Sequence, residues 1–151
     1  MDRNTLERWI LAITLALLLH GSAGAQSSRF RSNGDGTVTD LSLELTWQQS
    51  TPSKMTWSAA NSYCMNNTPG LPGSGWRLPT ILELMALLDD GRAACPLNDS
   101  ALITPCATGS AVYWSSTAHP MEAGNYRTVN FYSGTVSDAS GTVSRYLRCV
   151  R

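Results

Sequence analysis

The chain has 151 residues and a formal net charge of zero, and charged side chains make up only 15% of it. Past residue 25 there are nine basic side chains, eight of them arginines scattered singly. That leaves no basic stripe to attract nucleic acid and no cationic amphipathic helix to lie on a membrane, while low charge with abundant Ser, Thr, Gly and Asn points to an extracellular, loop-rich domain.

The first element is an export signal. Arg3 and Arg8 stand near the start, residues 9–19 are apolar, and small residues lead into Ala23-Gly24-Ala25. Such a run is too short to cross a bilayer, which takes about 20 residues, and Ala23-x-Ala25 suits a signal peptidase. Residues 1–25 are therefore expected to be a cleaved signal peptide. Residues 26–151 are expected to form one secreted or periplasmic domain with no stable membrane insertion, of a size that supports a proper core.

That domain opens on Asn33-Gly34-Asp35-Gly36, a turn expected to feed a strand at residues 37–39, with the alternating Leu45-Thr46-Trp47-Gln48 as its hairpin partner. The same turn fails as a calcium loop. With Gly36 at the sixth position of an EF-hand, Arg31 and Ser42 fall where carboxylates are required. Thr56 then caps a helix on which Trp57, Ala60, Tyr63 and Cys64 share one side.

A Gly/Pro-rich loop at residues 69–75 leads to Trp76-Arg77-Leu78-Pro79-Thr80. Thr80 and Glu83 make a capping box, and Pro79 bars a helix from entering earlier. Ile81, Leu82, Leu84, Met85, Leu87 and Leu88 give the broad apolar side of a helix of about 9 residues. Trp76, Arg77 and Trp114 read as structural: tryptophan fills a helix–sheet junction and the arginine pairs with an acid or caps carbonyls.

Residues 89–109 are polar and irregular. Strand-like segments follow at residues 112–116, 126–132, 135–136 beyond a Ser133-Gly134 turn, and 146–150. Two helices between an N-terminal hairpin and a run of antiparallel strands make the chain α+β.

Cys64, Cys95, Cys106 and Cys149 include no Cys-x-x-Cys pair of the kind used by zinc or thiol redox sites, and an even count in an exported chain points to disulfides. Three connectivities are possible. We favour Cys64 with Cys149 and Cys95 with Cys106, because the second pair is local and the first ties the start of the domain to its end.

The turn at Asn33-Gly34-Asp35-Gly36-Thr37-Val38-Thr39-Asp40 is followed by Leu45-Thr46-Trp47, Thr56-Trp57-Ser58-Ala59-Ala60 with Tyr63-Cys64, and Trp76-Arg77-Leu78-Pro79-Thr80 with Glu83-Leu84. Tyr113-Trp114-Ser115-Ser116-Thr117, Asn130-Phe131-Tyr132-Ser133-Gly134 and Tyr146-x-Arg148-Cys149-Val150-Arg151 complete the series. In this order the peptides resemble those of the Lcl C-terminal domain family, named for part of a bacterial collagen-like adhesin and long catalogued as a domain of unknown function. The similarity covers residues 30–151.

The resemblance implies a C-type-lectin-like fold related to the domain of formylglycine-generating and sulfatase-modifying proteins. Two helices would pack on a twisted antiparallel sheet with long loops, and the two chain ends would pair in one sheet. It further implies a disulfide from the first helix to the last strand, and an exported bacterial protein, often an adhesin or surface-binding module.

Catalysis is not expected. His119 is the only histidine past residue 25, no Gly-x-Ser-x-Gly turn presents a nucleophile, and Ser53 and Lys54 are adjacent on a loop, where neighbours rarely aim at each other. Cys149 lacks the second nearby cysteine of formylglycine-generating enzymes, residue 144 being Ser144. Calcium-dependent lectins carry a Glu-Pro-Asn or Gln-Pro-Asp loop and a Trp-Asn-Asp strand; here neither occurs, and Trp114 precedes Ser115-Ser116. No metal and no cofactor are expected.

In C-type-lectin-like domains the ligand surface is commonly built from loops before the last strands. The resemblance thus directs attention to His119, Glu122, Asn125, Tyr126, Arg127, Asn130 and Tyr132, with Met121 beside them. Aromatic, amide and charged groups of this kind stack on sugars and anchor protein interfaces, although Tyr126, Tyr132 and Trp114 also suit a core. The expected function is adhesion to, or recognition of, a surface polysaccharide or protein. A structural or accessory subunit of a cell-surface assembly is the alternative, and an enzyme related to sulfatase-modifying proteins the third.

Overall fold

A computed structural model of the chain describes residues 29–88, 102 and 111–151. Among these, the elements run β1 (Phe30–Ser32), β2 (Thr37–Asp40), β3 (Leu45–Gln48), α1 (Trp57–Met65), α2 (Ile81–Met85), β4 (Val112–Ala118), β5 (Asn125–Asn130) and β6 (Thr135–Ser140). The strands form two antiparallel three-stranded sheets, β1-β2-β3 and β4-β5-β6. The class is α+β. The expected signal peptide and the expected Cys95–Cys106 pair fall outside the described residues.

Local chemistry builds the first sheet. Gly34 and Gly36 take positive φ values of 77° and 82°, and the Asp35 carboxylate accepts from the Thr37 amide at 3.0 Å, closing the β1–β2 turn. At the far end of β2, the buried Asp40 receives the Arg29 guanidinium in two bonds of 2.9 and 2.6 Å and the Ser42 amide at 3.0 Å. Burial alone pushes the Asp40 carboxyl up, but these donors outweigh it and hold its pKa below the usual value.

Residues 145–151 join the two sheets. Thr46 and Arg151 exchange backbone bonds of 2.9 and 3.0 Å, Gln48 donates to Cys149, Arg77 and Val150 exchange two more, and Tyr146 bonds Val112 and Trp114 of β4. The strand expected at residues 146–150 is thus present only as isolated bridges, antiparallel to Trp47 and Arg77 and parallel to Tyr113. The segment changes partner every few residues, so no continuous ladder forms along it. Cys149 reaches Cys64 of α1 in a disulfide, Cα to Cα 5.4 Å.

Two hydrophobic clusters result, and alternate residues feed them from the same strands. Tyr113 packs with Val38, Trp47, Leu84 and Phe131, whereas its neighbour Trp114 packs with Ala60, Cys64, Trp76 and Leu78. Val150 likewise joins the first cluster while Leu147 and Cys149 join the second. A period of two puts adjacent residues on opposite sides of a strand, so β4 and residues 146–150 form the wall between the clusters.

The helices depart from expectation at their ends. Thr56 occupies the N-cap of α1 but its side chain makes no capping bond; the Trp57 amide instead donates to the Gly141 carbonyl at 3.0 Å. Helix α2 has the expected capping box between Thr80 and Glu83, yet spans only five residues. Past Met85 the Leu87 and Leu88 amides bond three residues back and Arg29 takes the Ala86 carbonyl at 2.7 Å, so the backbone tightens into a turn.

Glu83 does double duty. It accepts Arg77 in two bonds of 2.8 and 2.7 Å and the Thr80 amide at 2.7 Å. The Arg77 bond is the main reason its pKa falls from 4.5 to about 2, despite burial acting the other way. A carboxyl whose folded pKa is depressed contributes stability above its unfolded pKa and loses it as pH falls towards the folded one. Stability should therefore decline between about pH 4.5 and pH 2. In urea melts over that range Glu83→Gln should flatten the decline and cost about 1–2 kcal/mol at pH 7, a figure reduced for the half-exposed Arg77. An unchanged pH slope in the variant would refute this assignment.

Candidate functional site

The β4–β5 connection is positioned by an irregularity in β4. Trp114 pairs with Thr128 and Ala118 with Tyr126, so the register shifts between them. The intervening residues bond elsewhere. Ser115 Oγ donates to the Arg127 carbonyl at 2.8 Å, its own carbonyl accepts Trp57 Nε1 at 2.8 Å, and the Ser116 amide donates to the Pro79 carbonyl at 2.7 Å. Thr117 Oγ1 accepts the Ile81 amide at 3.0 Å, meeting one free amide at the start of α2.

From that base the loop is organised around His119. Its Nδ1 accepts the Glu122 amide at 2.9 Å and the Met121 amide at 3.3 Å, and its backbone amide donates to the Asn125 carbonyl at 2.8 Å. With Nδ1 accepting, the neutral ring carries its proton on Nε2, which lies 3.7 Å from Asp138 Oδ2. Asp138 Oδ1 lies 3.2 Å from Arg127 Nε. Asn125 donates its side-chain amide to Glu122 at 2.6 Å, and Met121 stands 86% exposed beside them.

Four of the expected ligand residues, His119, Glu122, Asn125 and Arg127, therefore meet at one end of the β4–β5–β6 sheet. The others lie elsewhere. Tyr126 stacks on Trp57 with ring centroids 3.7 Å apart and sits edge-on to Trp114 at 6.3 Å, while a Cβ on Gly141 would come within 2.9 Å of its ring. It is partly buried and packs against the second cluster. Asn130 and Tyr132 flank the β5–β6 turn at the opposite end of β5, where Asn130 Oδ1 accepts the Tyr132 amide at 2.9 Å and the Tyr132 ring is exposed.

Asp138 was not among the expected residues. The register of the β5–β6 hairpin places it directly across from Arg127, and an opposite-charge cross-strand pair is readable once the Ser133-Gly134 turn fixes the count. Among the described residues no cluster of three or more His, Cys, Asp or Glu side chains is arranged to hold a metal.

Residues 36–151 match the family model described as the Lcl C-terminal domain. The chain belongs to the Lcl C-terminal domain family. No curated protein matches it. In this Lcl C-terminal domain the peptides that carry the resemblance contact one another. Pro79 receives Ser116, Arg77 pairs with Val150, Trp57 bonds Ser115, and Cys64 closes on Cys149. They build the scaffold, whereas His119, Met121 and Glu122 occupy the loop that the scaffold holds up, with Asn125 at the start of β5.

Proposed function

We propose that this Lcl C-terminal domain is an exported bacterial binding module of C-type-lectin-like architecture, which recognises a surface polysaccharide or protein through its β4–β5 end. The architecture is supported by pairing of residues 149–151 with β3 and by the disulfide from α1 to that segment. The observation that carries the functional reading is the preset loop: His119, Glu122 and Asn125 are bonded to each other's backbone or side chains, while the side chains of Arg127 and Asp138 stay about a third exposed and Met121 stands 86% exposed. A surface whose polar groups are already held in place orders few side chains on binding, which lowers the cost of recognition.

A glycan and glycosaminoglycan array, run beside a pull-down of surface proteins, tests this. Saturable binding that weakens about tenfold on Arg127→Ala or Met121→Ala is the expected result, about what loss of one charge-assisted bond or buried contact supplies. Tyr126→Ala is a poor probe, since it removes a packed ring. Absence of any ligand, together with stable co-purification of one partner, would replace recognition by the role of a structural subunit in a surface assembly. The mature N-terminus should be Gln26; an intact Met1 on exported protein would overturn the reading of residues 1–25 as a cleaved signal peptide.

A further inference from the structure

A cavity of about 380 Å³ opens between the end of β3, α1 and the loop after α1, and no residue of the β4–β5 loop lines it. Gln48, Ser50, Thr51 and Tyr63 supply its polar wall, and Pro69 and Leu71 part of its apolar wall. None of these described lining residues bears a formal charge. The volume lies at the lower end of the roughly 300–1,000 Å³ range of small-molecule sites.

Its polar groups are held by the fold behind them. Gln48 is only 5% exposed, and its Oε1 accepts the Cys149 amide at 3.3 Å, which turns Nε2 towards Tyr63 Oη at a long 3.5 Å. A primary amide has two N–H donors, and Gln48 is among the residues that line the cavity, so its amide is a candidate donor to a ligand there. Thr51 Oγ1 is fixed from the rear, 2.8 Å from Tyr113 Oη and 3.2 Å from Arg148 Nη2. The disulfide between Cys64, next to Tyr63, and Cys149 locks both walls together.

We infer that this cavity is a second binding site, for an uncharged sugar unit. Amide and hydroxyl groups that both donate and accept match the hydroxyls of a saccharide, and Tyr63 with Pro69 and Leu71 offers the apolar surface that a sugar's C–H side requires. A sulfated or carboxylated ligand would lose its hydration here with no counter-charge among the described lining residues to replace it. A peptide added as a strand is disfavoured as well, because the β3 backbone is already engaged by Cys149 and Arg151. The inference rests on reading the chain as a recognition module, but not on the β4–β5 surface.

The test is a titration of isotopically labelled full-length protein with glucose, galactose, mannose, N-acetylglucosamine, maltose and lactose, followed by NMR. The expected result is saturable shifts at the Gln48 side-chain amide and at Tyr63 and Leu71 with at least one of these probes. Tyr63→Phe, which keeps the ring, should weaken that binding about threefold to tenfold, as should Ser50→Ala at an exposed position. Gln48→Glu keeps the acceptor for Cys149 and should abolish it. Neutral sugars that shift only residues 119–138, indifferent to these variants, would overturn the cavity assignment and leave the recognition reading standing. Shifts with none of the probes would overturn it too; the recognition reading would then fail only if the array and pull-down were also blank.

Discussion

Loss of the Cys64–Cys149 disulfide is expected to cost about 4.5 kcal/mol, a large share of the roughly 5–15 kcal/mol that stabilises an ordinary domain. The bond links residues separated by 85 positions, and in the chain-entropy model so long a loop gives a large restriction of the unfolded chain. The native state loses as well, since both cysteines are fully buried in the second cluster with Leu147, Trp76 and Trp114. Urea unfolding of Cys64→Ser/Cys149→Ser should therefore show a midpoint far below that of the parent. Replacing both cysteines avoids a stray thiol. A double variant within about 1 kcal/mol of the parent would show that burial in the second cluster, rather than the cross-link, holds residues 145–151 in place.

Arg148→Met is expected to be of comparable severity, at about 2–5 kcal/mol, since several buried acceptors lose their donor and each one left unmet costs about 1–3 kcal/mol. Arg148 is 0% exposed, and its guanidinium donates to the Gln48 carbonyl, to the Gln49 carbonyl at 2.7 Å and to Thr51 Oγ1 at 3.2 Å. Burial pushes its pKa below the ordinary arginine value, with the neighbouring Tyr113 acting in the opposite sense. Methionine has similar bulk but no donors, so the carbonyls of Gln48 and Gln49 at the end of β3 would be left without these bonds. Arg148→Lys should recover only part of the loss, because one ammonium cannot serve acceptors that a planar fork reaches together. Thermal melts should place Met lowest and Lys between it and the parent; equal melting of Lys and parent would mean that charge, not geometry, is what the site needs.

Legibility of the fold followed the range of the interactions. The Asn33–Gly36 turn, the β2–β3 hairpin and the Thr80–Glu83 capping box depend on neighbours within a few residues, and each is present as its residues imply. Cys64 could be placed inward because a period of 3.6 puts it with Ala60 on one side of α1. The length of α2 could not be read, because Arg29, 57 residues away, takes the Ala86 carbonyl. Nor could the division of the strands into two sheets, which depends on residues 145–151 serving several partners in turn. The candidate site divided in the same way. His119, Glu122 and Asn125 are brought together by bonds across a few residues, whereas the place of Tyr126 is set above all by stacking on Trp57, from a distant part of the chain.

The bond from Arg148 to the Gln48 carbonyl spans 100 residues. During synthesis the β1–β3 hairpin sheet therefore emerges long before the segment that finishes its edge. Trp47 and Val38 must wait with one side of their cluster open until Val150 arrives. Closing contacts so distant along the chain is slow, and an unfinished strand edge beside exposed apolar side chains invites association with other chains. This molecule is thus most vulnerable not when folded but while nascent. Truncation just before residue 145 should yield an insoluble product rather than a smaller domain.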